Sequence, residues 1–186
     1  RLPDIKPEAV TLITLAWQCE KADGQVQFWD AWQKWLDGAD ERVTLQADVS
    51  WKGINCRGLF HGPMDEAVET VKTLAMLSGC ESSFEEMSPG DAMQALMDGC
   101  ALPAKCKSAG RFVLRPLSVE QMSVLVDSLH AVPDVIEPSY SLYALGGAVS
   151  RKANYETAFY FRNAMYIVRM RSEERRVGKE CRSRWS

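Results

Sequence analysis

The spacing of apolar residues divides the N-terminal half of the chain into strands and one long helix. The segment "AVTLITLAW", residues 9–17, is rich in β-branched and apolar residues and predicts a strand. From Gly24 to Asp40 the apolar residues recur at helical spacing, which predicts a helix whose tryptophans pack in the core. Its apolar face consists of Phe28, Trp32, Trp35 and Leu36. The segments "RVTLQADVSW" and "INCRGLFHG" flank the turn signal Lys52-Gly53 and predict a β-hairpin.

The remainder of the chain mixes single helices with strands. Helices are predicted over "MDEAVETVKTLAML" after Pro63, over "AMQALMDG", and after Ser118, which fits a capping box with Gln121. Strands are predicted over "CESSFEEM", "GRFVLRPL", "IEPSYSLYALGG" and "ETAFYFRNAMYIVRM". About seven strands and four helices without a strict β-α rhythm predict an α+β fold, in which an antiparallel sheet has helices packed on one face.

Charge is unevenly distributed along the 186 residues. The whole chain has a formal net charge of −3, from 22 basic and 25 acidic residues. Residues 171–186, "RSEERRVGKECRSRWS", contain six basic and three acidic residues, so the rest of the chain has a charge near −6. An acidic body gives no electrostatic basis for binding nucleic acid. No apolar stretch reaches the roughly 20 residues that a spanning helix needs, so no membrane partner is expected either.

We expect both ends of the chain to differ from those of the intact gene product. The tail 171–186 resembles the translation of a common short-read sequencing adapter along its whole length, so we expect it to be non-native. The native sequence would then be known only as far as Met170. The chain begins with Arg1 rather than methionine, so a missing N-terminal part is expected. With no signal visible, a cytoplasmic location is expected, although a signal on the missing part stays open.

The six cysteines form no recognisable metal or redox motif. No pair has C-x-x-C spacing, and only His61 and His130 are available to complement them. Buried or free thiols in a reducing compartment are therefore predicted, and no metal site. The sequence also contains no G-x-G-x-x-G fingerprint, no P-loop and no nucleophile elbow.

The densest group of chemically versatile side chains lies between Ser139 and Met170. This segment contains five tyrosines and three arginines. The adjacent Gly146 and Gly147 permit a bend, or the close approach of a flat ligand. The pattern alone leaves two interpretations open: a sheet whose tyrosines pack against helices around a Gly-Gly bulge, or a ligand-binding surface.

The segment "YALGGAVSRKANYETAFYFRNAMYIV" resembles the late part of the berberine-bridge-enzyme-like FAD-linked oxidases. The shared features are the Gly-Gly pair, the Thr157-Ala158-Phe159 triplet, and Arg162 followed by an apolar strand. The upstream segments "WDAWQKWL", "CRGLFHGPMDEAVETV" and "KSAGRFVLRPLS" follow in the order of the family, so the resemblance covers roughly residues 10–170. It implies that residues 1–170 are a fragment, the substrate-binding domain of a two-domain flavoenzyme.

The resemblance further implies an FAD-dependent oxidoreductase in the full-length protein. Such an enzyme passes a hydride from a small organic substrate, such as an alcohol, a sugar or an alkaloid-like compound, to the flavin. FAD would be bound mainly by a missing N-terminal FAD-binding domain of the same chain, so the fragment alone is expected to be inactive. The alternative, a stand-alone α+β ligand-binding or interaction module without redox activity, stays open.

Transferred to single residues, the resemblance gives an incomplete site. The predicted substrate-binding residues are Tyr140, Tyr143 and Arg169. The predicted cofactor-facing residues are Gly146, Gly147 and Arg162. Tyr143 stands where some family members have a carboxylate, and Arg169 lies near a strand position from which some members project a Gln or Glu base. Since arginine stays protonated, Arg169 suits an anionic substrate group better than proton abstraction. The catalytic residues are therefore left unassigned.

Overall fold

The structure is a computed structural model that describes residues 9–98, 106–132, 136–145 and 149–174. That part of the chain forms seven strands and five helices. In chain order they are β1 (Val10–Trp17), α1 (Ala22–Leu36), β2 (Val43–Ser50), β3 (Gly53–His61), α2 (Met64–Thr70), α3 (Lys72–Ala75), β4 (Cys80–Met87), α4 (Pro89–Asp98), β5 (Cys106–Val113), α5 (Val119–His130), β6 (Ile136–Ala144) and β7 (Tyr166–Glu174).

All seven strands belong to one antiparallel sheet in the order β4-β1-β3-β2-β6-β7-β5. The predicted hairpin is present, since β2 and β3 pair from Ser50 and Gly53 outward. The pairing of β2 with β6 joins the two halves of the chain. The predicted α+β fold with an antiparallel sheet is confirmed.

One face of the sheet is covered by α1, α2, α3 and α5 and contains the main core. Alternate residues of β1, among them Ile13 and Leu15, pack there with the aromatic face of α1. Trp29 and Trp32 are fully buried, and the ring centroids of Trp32 and Trp35 lie 5.2 Å apart. The tryptophans of α1 are therefore core residues, as the helical spacing predicts.

The predicted helices are all present, and two of them differ from the prediction in their division or position. Ser118 and Gln121 form the predicted capping box at the start of α5. The helix predicted after Pro63 is divided at Val71, whose φ of −103° and ψ of 10° interrupt it between α2 and α3. The helix α4 does not join the other helices but packs on the opposite face of the sheet, in a small apolar cluster with Leu12 and Leu59.

The last strand differs from its prediction. The pattern of "ETAFYFRNAMYIVRM" predicts a strand over residues 156–170, but β7 begins only at Tyr166. The preceding residues form turns, in which the ring of Phe161 stacks on Phe112 at a centroid distance of 4.0 Å. At the other end, residues 171–174 of the predicted non-native tail continue β7, because ladder hydrogen bonds use the backbone and not the side chain. Residues 175–186 lie outside the described part.

A buried polar network attaches the start of β7 to α1. The indole N–H of Trp29 donates to the hydroxyl of Tyr166 at 3.1 Å, and that hydroxyl donates to Oε1 of Gln33 at 2.8 Å. Oε1 of Gln33 also accepts from the backbone N–H of Leu117 at 2.7 Å. Burial raises the pKa of Tyr166 to about 12. The network therefore satisfies its buried polar atoms and fixes β7 against the helix layer.

Candidate functional site

The face of the sheet opposite to α1 and α5 carries a row of polar residues that crosses three strands. Asp48 of β2 pairs with Ser141 of β6, and Ser141 pairs in turn with Arg169 of β7. In the adjoining row, Gln46 of β2 pairs with Tyr143 of β6. Because side chains alternate along a strand, all five residues lie on the same face. We call this surface the polar face.

The carboxylate of Asp48 is held in place by two neutral donors on the polar face. The hydroxyl of Ser141 donates to Oδ1 of Asp48, and Nε2 of Gln46 donates to Oδ2 at 3.0 Å. Ser141 is fully buried, so its hydroxyl needs this partner. Neutral donors leave the charge of the carboxylate in place, and each oxygen keeps a lone pair for a ligand hydroxyl.

A cavity of about 390 Å³ lies over one half of the polar face. Gln46, Asp48 and Tyr143 line it from β2 and β6, and Arg57 lines it from β3. The helix α4 contributes Met97, so the cavity lies between the sheet and this helix. Its volume is within the usual range of small-molecule sites, and it combines apolar wall with a few polar groups.

Two arginines on the polar face are held by neutral acceptors. Arg57 is half-buried, and its Nη2 donates to the backbone carbonyl of Ala95 at 2.9 Å. Arg169 is exposed, and its Nη2 donates to Oγ of Ser108 at 3.1 Å. Within the described part of the chain, neither forms an ion pair with a carboxylate. Each guanidinium therefore has further N–H donors available for an anionic ligand.

Of the predicted substrate-binding residues, the structure brings Tyr143 and Arg169 onto the polar face and places Tyr140 elsewhere. Tyr140 is only 5% exposed, its hydroxyl lies 3.0 Å from Oγ of Ser128, and its ring lies 5.6 Å from Trp29. The reason is strand alternation, since positions 140 and 143 point to opposite faces. Tyr140 is thus a core residue, which corrects the predicted substrate contact.

Among the predicted cofactor-facing residues, only Arg162 belongs to the described part; Gly146 and Gly147 lie outside it. Nε of Arg162 donates to the carbonyl of Phe159 at 3.0 Å, and Nη1 donates to the carbonyl of Val149 at 3.3 Å. Nη2 donates a hydrogen bond to Oγ1 of Thr157. These contacts hold the turns between β6 and β7 together, so the guanidinium is largely used within the chain.

Four residues of the site were not singled out from the sequence: Gln46, Asp48, Arg57 and Ser141. The alternation of β2, which directs its apolar residues to the core, also directs Gln46 and Asp48 to the other face. That signal was present in the sequence. The sequence did not indicate which strand pairs with β2, because β2 and β6 are separated by about 90 residues. Only their pairing joins Asp48 to Ser141.

The polar face fits the ring system of a flavin, which the sequence resemblance implies, but not its diphosphate. Gly110 of β5 lies opposite Arg169 and has no side chain, so this end of the surface is flat and exposed. A planar ring can lie against such a surface, and a guanidinium suits its polar edge. In residues 9–98, 106–132, 136–145 and 149–174, no glycine-rich loop precedes a helix to bind a diphosphate.

A larger groove, of about 550 Å³, lies beside α1 and α2, but its arginine is already paired with carboxylates. Its Arg42 pairs with Asp40 at 2.8 Å and with Glu66 at 2.6 Å. The Arg42 guanidinium holds the pKa of the Asp40 carboxyl below its usual value. Because these charges neutralise one another, we place the candidate site on the polar face.

The three thiols whose side chains the structure describes do not line the cavity over the polar face. Cys19, Cys56 and Cys80 are free, and burial raises the pKa of the Cys56 thiol. Among the residues that the structure describes, no group of three or more His, Cys, Asp or Glu side chains is placed to hold a metal ion. Nor does any helix in that part have the length and apolar character needed to cross a membrane.

Comparison with known proteins finds similarity to FAD-linked oxidoreductases. No protein-family model matches the chain. It is 28% identical over 161 residues to YgaK of Bacillus subtilis, described as an uncharacterized FAD-linked oxidoreductase, covering 84% of this chain and 35% of that protein. It is 24% identical over 170 residues to YvdP, also described as an uncharacterized FAD-linked oxidoreductase of B. subtilis, covering 87% of this chain and 37% of that protein. The chain thus spans about a third of the length of these relatives.

Solved structures share the fold at low sequence identity. A chitooligosaccharide oxidase matches with a TM-score of 0.77 and 15% identity, covering 90% of this chain and 39% of that one. A glucooligosaccharide oxidase of Acremonium strictum matches at 0.78 and 16%, with 90% and 38% covered. BBE-like 28 of Arabidopsis thaliana matches at 0.72 and 19%, with 90% and 37% covered. The predicted resemblance is thus confirmed: the chain has the fold of berberine-bridge-enzyme-like FAD-linked oxidases and is similar in sequence to FAD-linked oxidoreductases.

Proposed function

We propose that residues 1–170 are the substrate-binding domain of an FAD-dependent oxidoreductase that oxidises a small organic substrate with a hydroxyl group. The observation that carries the proposal is the row Asp48–Ser141–Arg169 beside Tyr143, on a sheet shared with FAD-linked oxidases. The oligosaccharide substrates in the names of two neighbours support a hydroxyl-bearing compound, an alcohol or a sugar. Most of the FAD would be bound by another domain of the same protein.

The polar face would act on the substrate through its fixed groups. FAD, when bound, supplies a two-electron hydride acceptor. The Asp48 carboxylate accepts a hydrogen bond from the substrate hydroxyl and takes its proton, because Ser141 and Gln46 keep both oxygens oriented. Tyr143 and Arg169 position the substrate at the edge of the cavity. Arg162 holds the turn that follows Gly146 and Gly147, the residues proposed to approach the cofactor.

The test begins from the gene that encodes this chain. A full reading frame should encode an FAD-binding domain, and the purified product should be yellow and lose its flavin absorbance anaerobically with a sugar or alcohol from a substrate panel. The same protein with Asp48→Asn should retain flavin but reduce it much more slowly. A gene product that binds a small molecule tightly and never binds flavin would instead identify a stand-alone ligand-binding module.

A further inference from the structure

The Arg57 guanidinium on the cavity wall has no ion-pair partner in the part of the chain that the structure describes, and this points to the chemistry of the ligand. Arg57 is half-buried, makes one hydrogen bond to the Ala95 carbonyl, and forms no ion pair among the described residues. Asp48 lines the same cavity, but its oxygens accept from Ser141 and Gln46, and it forms no ion pair with Arg57. Because no carboxylate among the described residues pairs with this half-buried guanidinium, its free N–H donors can take a carboxylate from a ligand.

The position of Arg57 is fixed from two sides. Its backbone pairs with Gln46 of β2, and its Nη2 is attached to the carbonyl of Ala95 in α4. The remaining N–H donors of the guanidinium form a planar fork that matches a carboxylate. Asp48 lies one row further along the same face, so the cavity presents a cation and a hydroxyl acceptor side by side.

We propose that Arg57 is a specificity-determining residue that receives a carboxylate of the substrate, so that the site selects hydroxy acids over their neutral counterparts. This inference rests on the proposed function in so far as it takes the cavity to be the substrate site. The acid group lies at Arg57 and the hydroxyl at Asp48, and Met97 covers the carbon skeleton from α4. A cavity of about 390 Å³ has room for a compound the size of a monosaccharide acid.

Equilibrium binding to the 186-residue chain tests the inference without flavin. Three matched pairs differ only at the acid group: D-glucuronate and D-glucose, D-galacturonate and D-galactose, and mandelate and mandelamide. Ligand-observed and protein-observed NMR titrations give each dissociation constant. In at least one pair the acid should bind about tenfold more tightly than its neutral partner, the effect of one charge-assisted hydrogen-bonded pair.

Variants separate charge recognition from a structural role of Arg57. Arg57→Gln should remove the preference for the acid, Arg57→Lys should retain part of it, and Arg111→Gln on the exposed surface of β5 should leave it unchanged. If Arg57→Gln only displaced α4, the neutral ligand would weaken as much as the acid, and that result would overturn the inference. Equal binding of acid and neutral compounds in all three pairs would overturn it as well.

The two proposals fail in different experiments. Acid-selective binding that depends on Arg57, in a gene product without flavin, would support the carboxylate site and refute the oxidoreductase. Conversely, flavin reduction by neutral alcohols with rates unaffected by Arg57→Gln would support the oxidoreductase and refute the carboxylate site.

Discussion

The two faces of the single sheet use the same strands for different purposes. On the helix-covered face, alternate residues of β1, β2 and β6 meet the aromatic side of α1, and apolar burial stabilises the fold. On the polar face β2 and β6 contribute a carboxylate and a phenol, and β3 and β7 each contribute an arginine. Such groups stabilise a protein little when they are left partly exposed. Core residues and polar-face residues therefore alternate along the same strands and do not occupy separate regions of the chain.

The strongest test of this separation removes a core ring. Trp32→Ala should lower the free energy of unfolding by about 3–5 kcal/mol, because a fully buried ring is lost and a cavity remains. Urea unfolding followed by circular dichroism measures the change. Tyr143→Ala on the polar face is the matched control, with an expected loss of about 1 kcal/mol or less. Similar losses in both variants would contradict the division between the faces.

A single hydroxyl should matter on the helix-covered side. Tyr166→Phe keeps the ring but leaves the buried N–H of Trp29 without an acceptor, so unfolding should become easier by about 1–3 kcal/mol. Tyr140→Phe, which loses only the contact with Ser128, should cost less. The two variants can be compared by thermal and urea unfolding under the same conditions. A larger loss in Tyr140→Phe would argue against the network of Trp29, Tyr166 and Gln33.

The hydroxyl of Tyr166 should also make the free energy of unfolding depend on pH in the alkaline range. The folded-state pKa of Tyr166 is raised to about 12, whereas an unfolded tyrosine titrates near pH 10. The fold therefore favours the protonated phenol, and its contribution is complete below about pH 10 and is lost as the pH rises toward 12. Unfolding free energies measured from pH 9 to 12 should decline more steeply in the wild type than in Tyr166→Phe. Parallel curves would show that Tyr166 does not contribute.

On the polar face, the smallest effect on stability should accompany a large effect on function. Asp48→Asn preserves the shape, and the Ser141 hydroxyl and Gln46 amide can reorient, so unfolding should change by less than about 1 kcal/mol. In the flavin-loaded full-length protein, the rate of substrate oxidation should fall by roughly 10²–10⁴-fold, as expected for loss of a general base. Stopped-flow flavin reduction measures it. Unchanged reduction would remove Asp48 from the proposed chemistry.

Local patterns predicted most of the secondary structure because each element depends on nearby residues. The capping box at Ser118, the hairpin at Gly53 and the aromatic face of α1 were all readable in this way. The aromatic alternation of "FYF" was misleading, because the rings of Phe159 and Phe161 pack on Phe112 and Arg162 donates to backbone carbonyls of the turns. Such contacts depend on the neighbouring strand β5, which no local pattern identifies.

The sequence by itself determined the class of fold, the core face of each amphipathic element and the likeness to FAD-linked oxidases, since these follow from periodicity and from the order of short motifs. Only the tertiary structure decided which polar residues share a site. The pairing of β2 with β6 and β7 joins Asp48, Ser141 and Arg169 across about 120 residues of chain and sends Tyr140 to the core. The physical reason is that strand register, a long-range property, decides which side chains meet, whereas periodicity decides only the face on which each one lies.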